Sequence, residues 1–403
     1  MQRRTLVVLS VTQIIGGVGV AVGLAFSALV VAKLSGSVMI SGYAGTAMVL
    51  GAALLALPVA KVAGRRGRRA ALTLAYLAAL VGGAISVVAI VAASWPLLLG
   101  GFLLMGGGTA GNLAARYSAT DLSPQGHAAR HLSIVVWMAT IGSVAGPNLA
   151  APADRAGEQL GLPAMAGPFA FSALAFVGAL LIIQTALRPD PLLVAREIDG
   201  TSADGPGRSG TLREAWQVLR TTPAAVGAIT AIAASHTAMV SIMSMTPVHL
   251  DHGGASLAVI GMALSLHIAG MYMFSPLVGW LADKAGRLPV LVGGMGVLLA
   301  SAVLAATGHG VAQITVSLTL LGLGWSCGLV AGSALLTESV PQERRPSVQG
   351  LSDLIMNVCG ATGTVLAGAI VGAFSYGALG AAVGVMVCLT GAWLALTWRR
   401  RSS

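Results

Sequence analysis

The chain has 403 residues, 56% of them hydrophobic and only 9% charged, whereas an ordinary soluble domain carries about 25% charge. That balance excludes a soluble catalytic domain and places most side chains against lipid or other apolar helices. The formal charge of +10 reads as membrane topology rather than nucleic-acid binding, because the basic loops are short.

Twelve apolar segments follow in chain order: 5–32, 39–61, 69–93, 96–116, 130–150, 166–187, 222–249, 256–281, 288–308, 312–337, 348–372 and 376–398. Each is near or above the roughly 20 residues that cross a bilayer. The first follows Met1-Gln2-Arg3-Arg4 directly and is too long for a signal-peptide core, so it reads as a retained helix. With the N-terminus inside, every Lys and Arg except Lys33 and Arg155 falls on the cytoplasmic side. The positive-inside rule then puts both termini in the cytoplasm and the chain in the cytoplasmic (inner) cell membrane.

Residues 189–212 are rich in Pro, Asp, Gly and Ser and read as a flexible cytoplasmic linker. They separate an N-terminal bundle of six helices (1–188) from a C-terminal one (213–403). The halves echo each other. Gly64-Arg65-Arg66-Gly67-Arg68 follows the second segment, and Asp283-Lys284-Ala285-Gly286-Arg287 follows the eighth, 219 positions later. Parallel halves of this kind are a mark of secondary transporters.

The stretch Gly279-Trp280-Leu281-Ala282-Asp283-Lys284-Ala285-Gly286-Arg287 resembles the cytoplasmic loop motif of the major facilitator superfamily. The resemblance covers nearly the whole chain. It implies an all-α integral membrane fold of twelve transmembrane helices in two halves, with Gly279, Asp283, Gly286 and Arg287 in a gating loop. An Asp at a helix end opposite basic groups can latch two bundles, and glycines permit the turn. The N-terminal copy departs from the pattern, with Ala60 for the first Gly and Gly64 for the Asp.

Met239-x-x-x-Met243 lies in the seventh segment and His267-x-x-x-Met271 in the eighth, and neither spacing recurs in the chain. Residues four apart share a helix face. Thioether sulfur and imidazole nitrogen are soft or borderline ligands that suit Cu(I) far better than Mg, Ca or Mn. Neutral ligands also avoid the cost of a carboxylate at mid-bilayer. At a rise of about 1.5 Å per residue, Met239 and His267 are expected at similar depth, about 3 Å outside the midplane. Methionine is also a common filler of apolar helices, and packing or an adaptable organic pocket is the competing reading.

These paired motifs, with Ser244-Met245-Thr246-Pro247-Val248-His249 and Ser265-Leu266-His267 beside them, resemble the CcoA-like transporter (CalT) family. The resemblance implies bacterial copper uptake, with Met239, Met243, His267 and Met271 as metal ligands. The same broad family includes carriers of organic molecules such as riboflavin.

Other residues are secondary candidates. His236 flanks the Met239 face as an additional ligand or a packing histidine. His249 and His252, beside Asp251, sit at the outer mouth, where a solvated loop is the plainer reading. Cys327, Cys359 and Cys388 form no C-x-x-C pattern and read as small buried hydrophobes. Asp353, one turn inside the eleventh segment, is a candidate proton carrier or the partner of a basic loop residue. Arg116, Asp121 and Arg130 could form a cytoplasmic latch around the loop after the fourth segment, with a solvated loop pairing as the equal alternative. Gly142-Ser143-Val144-Ala145-Gly146-Pro147 resembles the fifth-helix motif of drug–proton antiporters and serves equally as a packing device.

There is no phosphate-binding G-x-x-x-x-G-K-[ST] loop and no nucleophile elbow, so neither an enzyme nor an ATP-driven pump is expected. The sequence reads as a monomeric secondary transporter in the lipid bilayer. Its expected cargo is copper, as transported ion and not as cofactor. A small organic cargo is the alternative, by drug efflux or riboflavin-like uptake. A non-transporting sensor is a third reading.

Overall fold

The computed structural model describes residues 1–37, 40, 43–198, 212–255, 257–308 and 310–402. Its helices are α1 (Gln2–Ser35), α2 (Tyr43–Val91), α3 (Trp95–Ser118), α4 (Ala128–Gln159), α5 (Gly167–Ala186) and α6 (Pro191–Ile198). There follow α7 (Leu212–Thr221), α8 (Pro223–His252), α9 (Leu257–Tyr272), α10 (Ser275–Ala285), α11 (Arg287–Thr307), α12 (Val311–Ser339), α13 (Arg345–Ala373) and α14 (Tyr376–Ser402).

Among the described residues, 11 helical stretches are long and apolar enough to cross a membrane. One of them, α2, has 49 residues. At 1.5 Å per residue that is about 73 Å, more than twice the ~30 Å hydrocarbon core. It is broken at Gly67, whose φ of 85° takes it out of the helix. A β-carbon there would strike the Asp190 carboxylate, so glycine answers both the conformation and the contact. With α2 counted as two spans, the twelve crossings expected from hydropathy are present. The eighth segment is itself broken, into α9 and α10, at Met273–Phe274.

Backbone contacts gather the chain into two units. The first holds Met1–Ser123, Met138–Trp216 and Pro341–Leu354; the second holds Pro124–Trp137, Gln217–Val340 and Ile355–Ser403. The unit boundaries thus differ from a simple cut at the linker. The start of α4 belongs with the second unit, and the start of α13 with the first.

In the first unit, α2 and α3 pack over a long stripe of small residues, which lets their backbones come close. Gly142 and Gly146 bring α4 against Gly17 and Ala21 of α1, so the glycine pair expected as a packing device makes that contact. Part of the linker is ordered. Asp190 accepts hydrogen bonds from the N–H groups of Leu192 (3.0 Å) and Arg69 (2.7 Å). Arg196 Nη1 donates to the Gly64 carbonyl at 3.0 Å, so α6 is pinned to the loop that divides α2. The rest of the linker, 199–211, lies outside the described residues.

In the second unit, α12 is the common neighbour. It packs against α8, α9 and α11, while α8 and α9 touch each other only sparsely. The two motif-bearing helices are therefore related to each other mainly through α12.

Candidate functional site

His267 is fully buried, and its Nδ1 lies 2.7 Å from the Leu318 carbonyl on α12. A carbonyl can only accept, so Nδ1 carries the hydrogen. In the neutral ring Nε2 is then a bare lone pair. That atom is buried and has no hydrogen-bond partner among the described residues. Anchoring of one ring nitrogen by a backbone carbonyl, with the other left open, is the usual arrangement of a metal-ligating histidine.

His236 has the opposite polarity. Trp325 Nε1, which can only donate, points at His236 Nδ1 at 3.2 Å. Nδ1 is therefore the acceptor, and in the neutral ring Nε2 carries the hydrogen. As it stands, His236 offers a donor rather than a lone pair, which fits a positioning role better than that of an additional ligand.

Helix α12 also sets the depths. His267 of α9 bonds Leu318 and Ser275 of α10 bonds Ser326, both at a sequence offset of 51, so α9 and α10 run parallel to α12 in one register. Met271 then stands level with Gly322, and a β-carbon at Gly322 would meet the Met271 N–H nitrogen at 2.8 Å. On the other side, α8 runs antiparallel. Ser235 abuts Gly328, Ile232 abuts Gly332 and His236 meets Trp325. One turn on, that register brings Met239 level with residues 322–325 of α12, and Met243 with residues 318–321. Met239 thus falls within about one turn of the level of Met271, and Met243 within about one turn of that of His267. Where the sequence reading expected Met239 and His267 at a shared depth, the register on α12 sets them one to two turns apart along that helix. Met239 and Met271 are buried and Met243 is half-buried.

Trp325, which no motif marked, is 95% buried and joins the two motif helices. Its ring centroid lies 6.4 Å from His236 on α8 and 5.6 Å from Tyr272 on α9, edge-on at 85°. A tryptophan in the middle of a span, rather than in an interfacial belt, was the available signal.

His249 stacks flat on Tyr376, with centroids 4.2 Å apart, and Tyr376 also bonds Thr246 at 2.8 Å. This clasps the end of α8 to α14. The side chains of Asp251 and His252 lie outside the described residues. Cys327 and Cys359 are half-buried and Cys388 is exposed; none has a disulfide partner.

The loop residues do assemble. Asp283 accepts from the N–H groups of Ala129 (3.3 Å) and Arg130 (2.9 Å), capping the first turn of α4. Arg287 Nη2 bridges Asp283 (2.6 Å) and Glu338 (2.7 Å), and its Nη1 donates to the Ala282 carbonyl at 2.7 Å. Gly279 faces Ser133 with no room for a β-carbon, and Gly286 takes φ 97°.

The N-terminal copy does the same work with other residues. Ala60 stands where Gly279 stands in the second copy, and the glycine is on the partner helix instead: Gly350 of α13 abuts Ala60. Gly64 supplies no carboxylate. The start of α13 is held by Arg68 Nη2 to Gln349 (2.8 Å) and by Arg116 Nη2 to Asp353 (2.6 Å).

Two expected pairings change. Arg116 binds Asp353 and the Tyr117 hydroxyl, not Asp121. Asp121 instead takes a two-pronged bond from Arg68, at 2.8 and 2.9 Å. Burial pushes the Asp121 carboxyl above its ordinary value, and the Arg68 guanidinium pulls it back. The backbone N–H of Arg130 serves Asp283. The partner of Asp353 is likewise a helix residue and not a loop one.

Comparison with known proteins places these features. The sequence matches the family described as Major Facilitator Superfamily over residues 8–254 and 242–403. It is 36% identical over 391 residues to the uncharacterized MFS-type transporter YdeG of Bacillus subtilis, covering 96% of this chain and 90% of that one. It is 26% identical over 355 residues to the riboflavin transporter RfnT of Brucella anthropi, covering 88% and 85%. The fold is similar to the crystal structure of the human organic anion transporter MFSD10, with a TM-score of 0.80 at 13% identity, over 98% of this chain and 99% of that one.

Proposed function

The chain belongs to the major facilitator superfamily and is a multi-pass secondary transporter; from that premise we propose that its cargo is Cu(I). The reading has the ion taken up across the cytoplasmic membrane by alternating access, through a monomer with both termini in the cytoplasm. One observation carries it: the bare, buried Nε2 of His267, held in place by the Leu318 carbonyl.

The ligand set follows from the register. Met271 lies one turn from His267 on the same helix face, and the register of α8 on α12 supports Met239 and Met243 within about a turn of the two. Two to four neutral soft ligands can hold a monovalent soft cation without a fixed negative charge. Such a set binds less firmly than thiolates, which suits a carrier that must release its cargo. Gly279, Asp283, Gly286 and Arg287 serve in this reading as the latch that closes one face during the cycle.

A second reading is favoured by the likeness to a riboflavin transporter over most of the chain. In that case Met239, Met271, Tyr272 and Trp325 form an apolar and aromatic pocket for a small organic molecule.

Accumulation of radioactive copper in cells separates the two. Wild type is compared with Met239→Ala, Met243→Ala, His267→Ala and Met271→Ala, each checked for equal membrane abundance. Copper uptake that falls most for His267→Ala supports the first reading. Unchanged copper uptake across all four, with riboflavin uptake present, supports the second. Copper bound without flux would make the protein a sensor.

A further inference from the structure

We propose that Trp325 is the π wall of the soft-cation site. The inference rests on the copper reading and adds a residue to it.

The register on α12 places Trp325 three residues beyond Gly322, hence about 4.5 Å along the helix from the level of Met271. A cation is attracted to an indole face within about 6 Å of its centroid, and tryptophan is the strongest of the aromatic residues in this role. Along the helix axis that rise is shorter than the cation–π range, and the ring's neighbours His236 and Tyr272 lie on the two motif helices, three residues before Met239 and next to Met271.

The site has a need for it. A cation bound by thioethers and imidazole keeps its charge in a low-dielectric interior. Helix α9 carries no acid, Asp251 lies at the far end of α8, and Glu338 lies four turns from Gly322 on α12. No carboxylate of these three helices stands level with the motif. The indole face is the electron-rich surface left to offset the charge.

The indole is also held. Its Nε1 donates to His236 Nδ1 and its ring packs at right angles to that of Tyr272, so one side chain is fixed from both motif helices. A rotamer fixed from two sides can present its face without losing freedom when the cargo arrives.

The test uses Ag(I), a redox-inert soft monovalent ion, with purified full-length protein. Tryptophan fluorescence is followed during titration, and bound silver is measured directly. Wild type is expected to bind saturably and to lose fluorescence, and Trp325→Phe to abolish most of that change. Affinity should fall in the order Trp, Phe, Leu at position 325, by roughly tenfold from Trp to Leu. His236→Leu removes the same hydrogen bond but keeps the indole, and should lose clearly less silver affinity than Trp325→Leu while keeping the fluorescence change. Folding of each variant is verified by its melting temperature.

Wild-type affinity in Trp325→Leu, or equal losses in Trp325→Leu and His236→Leu, would overturn the π wall while leaving the copper site intact. No silver binding by wild type would overturn both.

Discussion

Arg116 and Asp353 meet as a buried ion pair, Nη2 to Oδ1 at 2.6 Å, across 237 positions of sequence. The guanidinium sits at the end of α3 and the carboxylate two turns into α13. Neither has appreciable solvent, so each charge depends on the other. Asp353→Ala and Arg116→Ala should each destabilise the protein by about 3–5 kcal/mol, since each leaves an uncompensated buried charge. The double replacement Arg116→Met with Asp353→Leu should be far milder than either single one. Thermal unfolding in detergent reads all four. Near-additive losses in the double variant would show that the two residues do not depend on each other.

The contact between Ala60 and Gly350 predicts a size swap. Gly350→Ala drives a methyl group into Ala60 and should cost about 1–3 kcal/mol as overpacking. Adding Ala60→Gly restores the space and should recover most of that loss, less about 1 kcal/mol for glycine in a helix. Unfolding midpoints of the two single variants and the double one decide it. A double variant no better than Gly350→Ala would mean that the two positions do not compete for the same space.

The cap made by Asp283 predicts a local effect. Asp283→Ala should cost about 1 kcal/mol and should speed amide exchange at Ala129 and Arg130. Asp283→Asn keeps an acceptor and should lose less. Exchange unchanged at these two amides in Asp283→Ala would exclude the cap.

These pairings explain what sequence reading could and could not supply. Hydropathy alone locates the crossings, because burial in lipid demands long apolar runs whatever the partners. The Asp283 loop is legible because its glycines and charges are local to one turn. Arg116 and Asp353 were each visible as unusual, yet their partnership is tertiary. The nearer Asp121 looked the better partner, and it is claimed by Arg68. The break between Tyr272 and Ser275 is marked in the sequence by Pro276, which stands in the first turn of α10 and disfavours helix at the residue before it. Trp325 lay outside every motif because its importance is its place on α12, between two helices that barely touch.

The account turns on His267 as the open-handed ligand of a copper carrier. The direct measurement is radioactive Cu(I) flux into proteoliposomes of purified protein, under reducing conditions, with riboflavin flux run in parallel. Saturable copper flux in wild type, lost in His267→Ala while the variant stays folded, is the predicted result. Riboflavin flux with no copper flux, or copper flux untouched by His267→Ala, would contradict it.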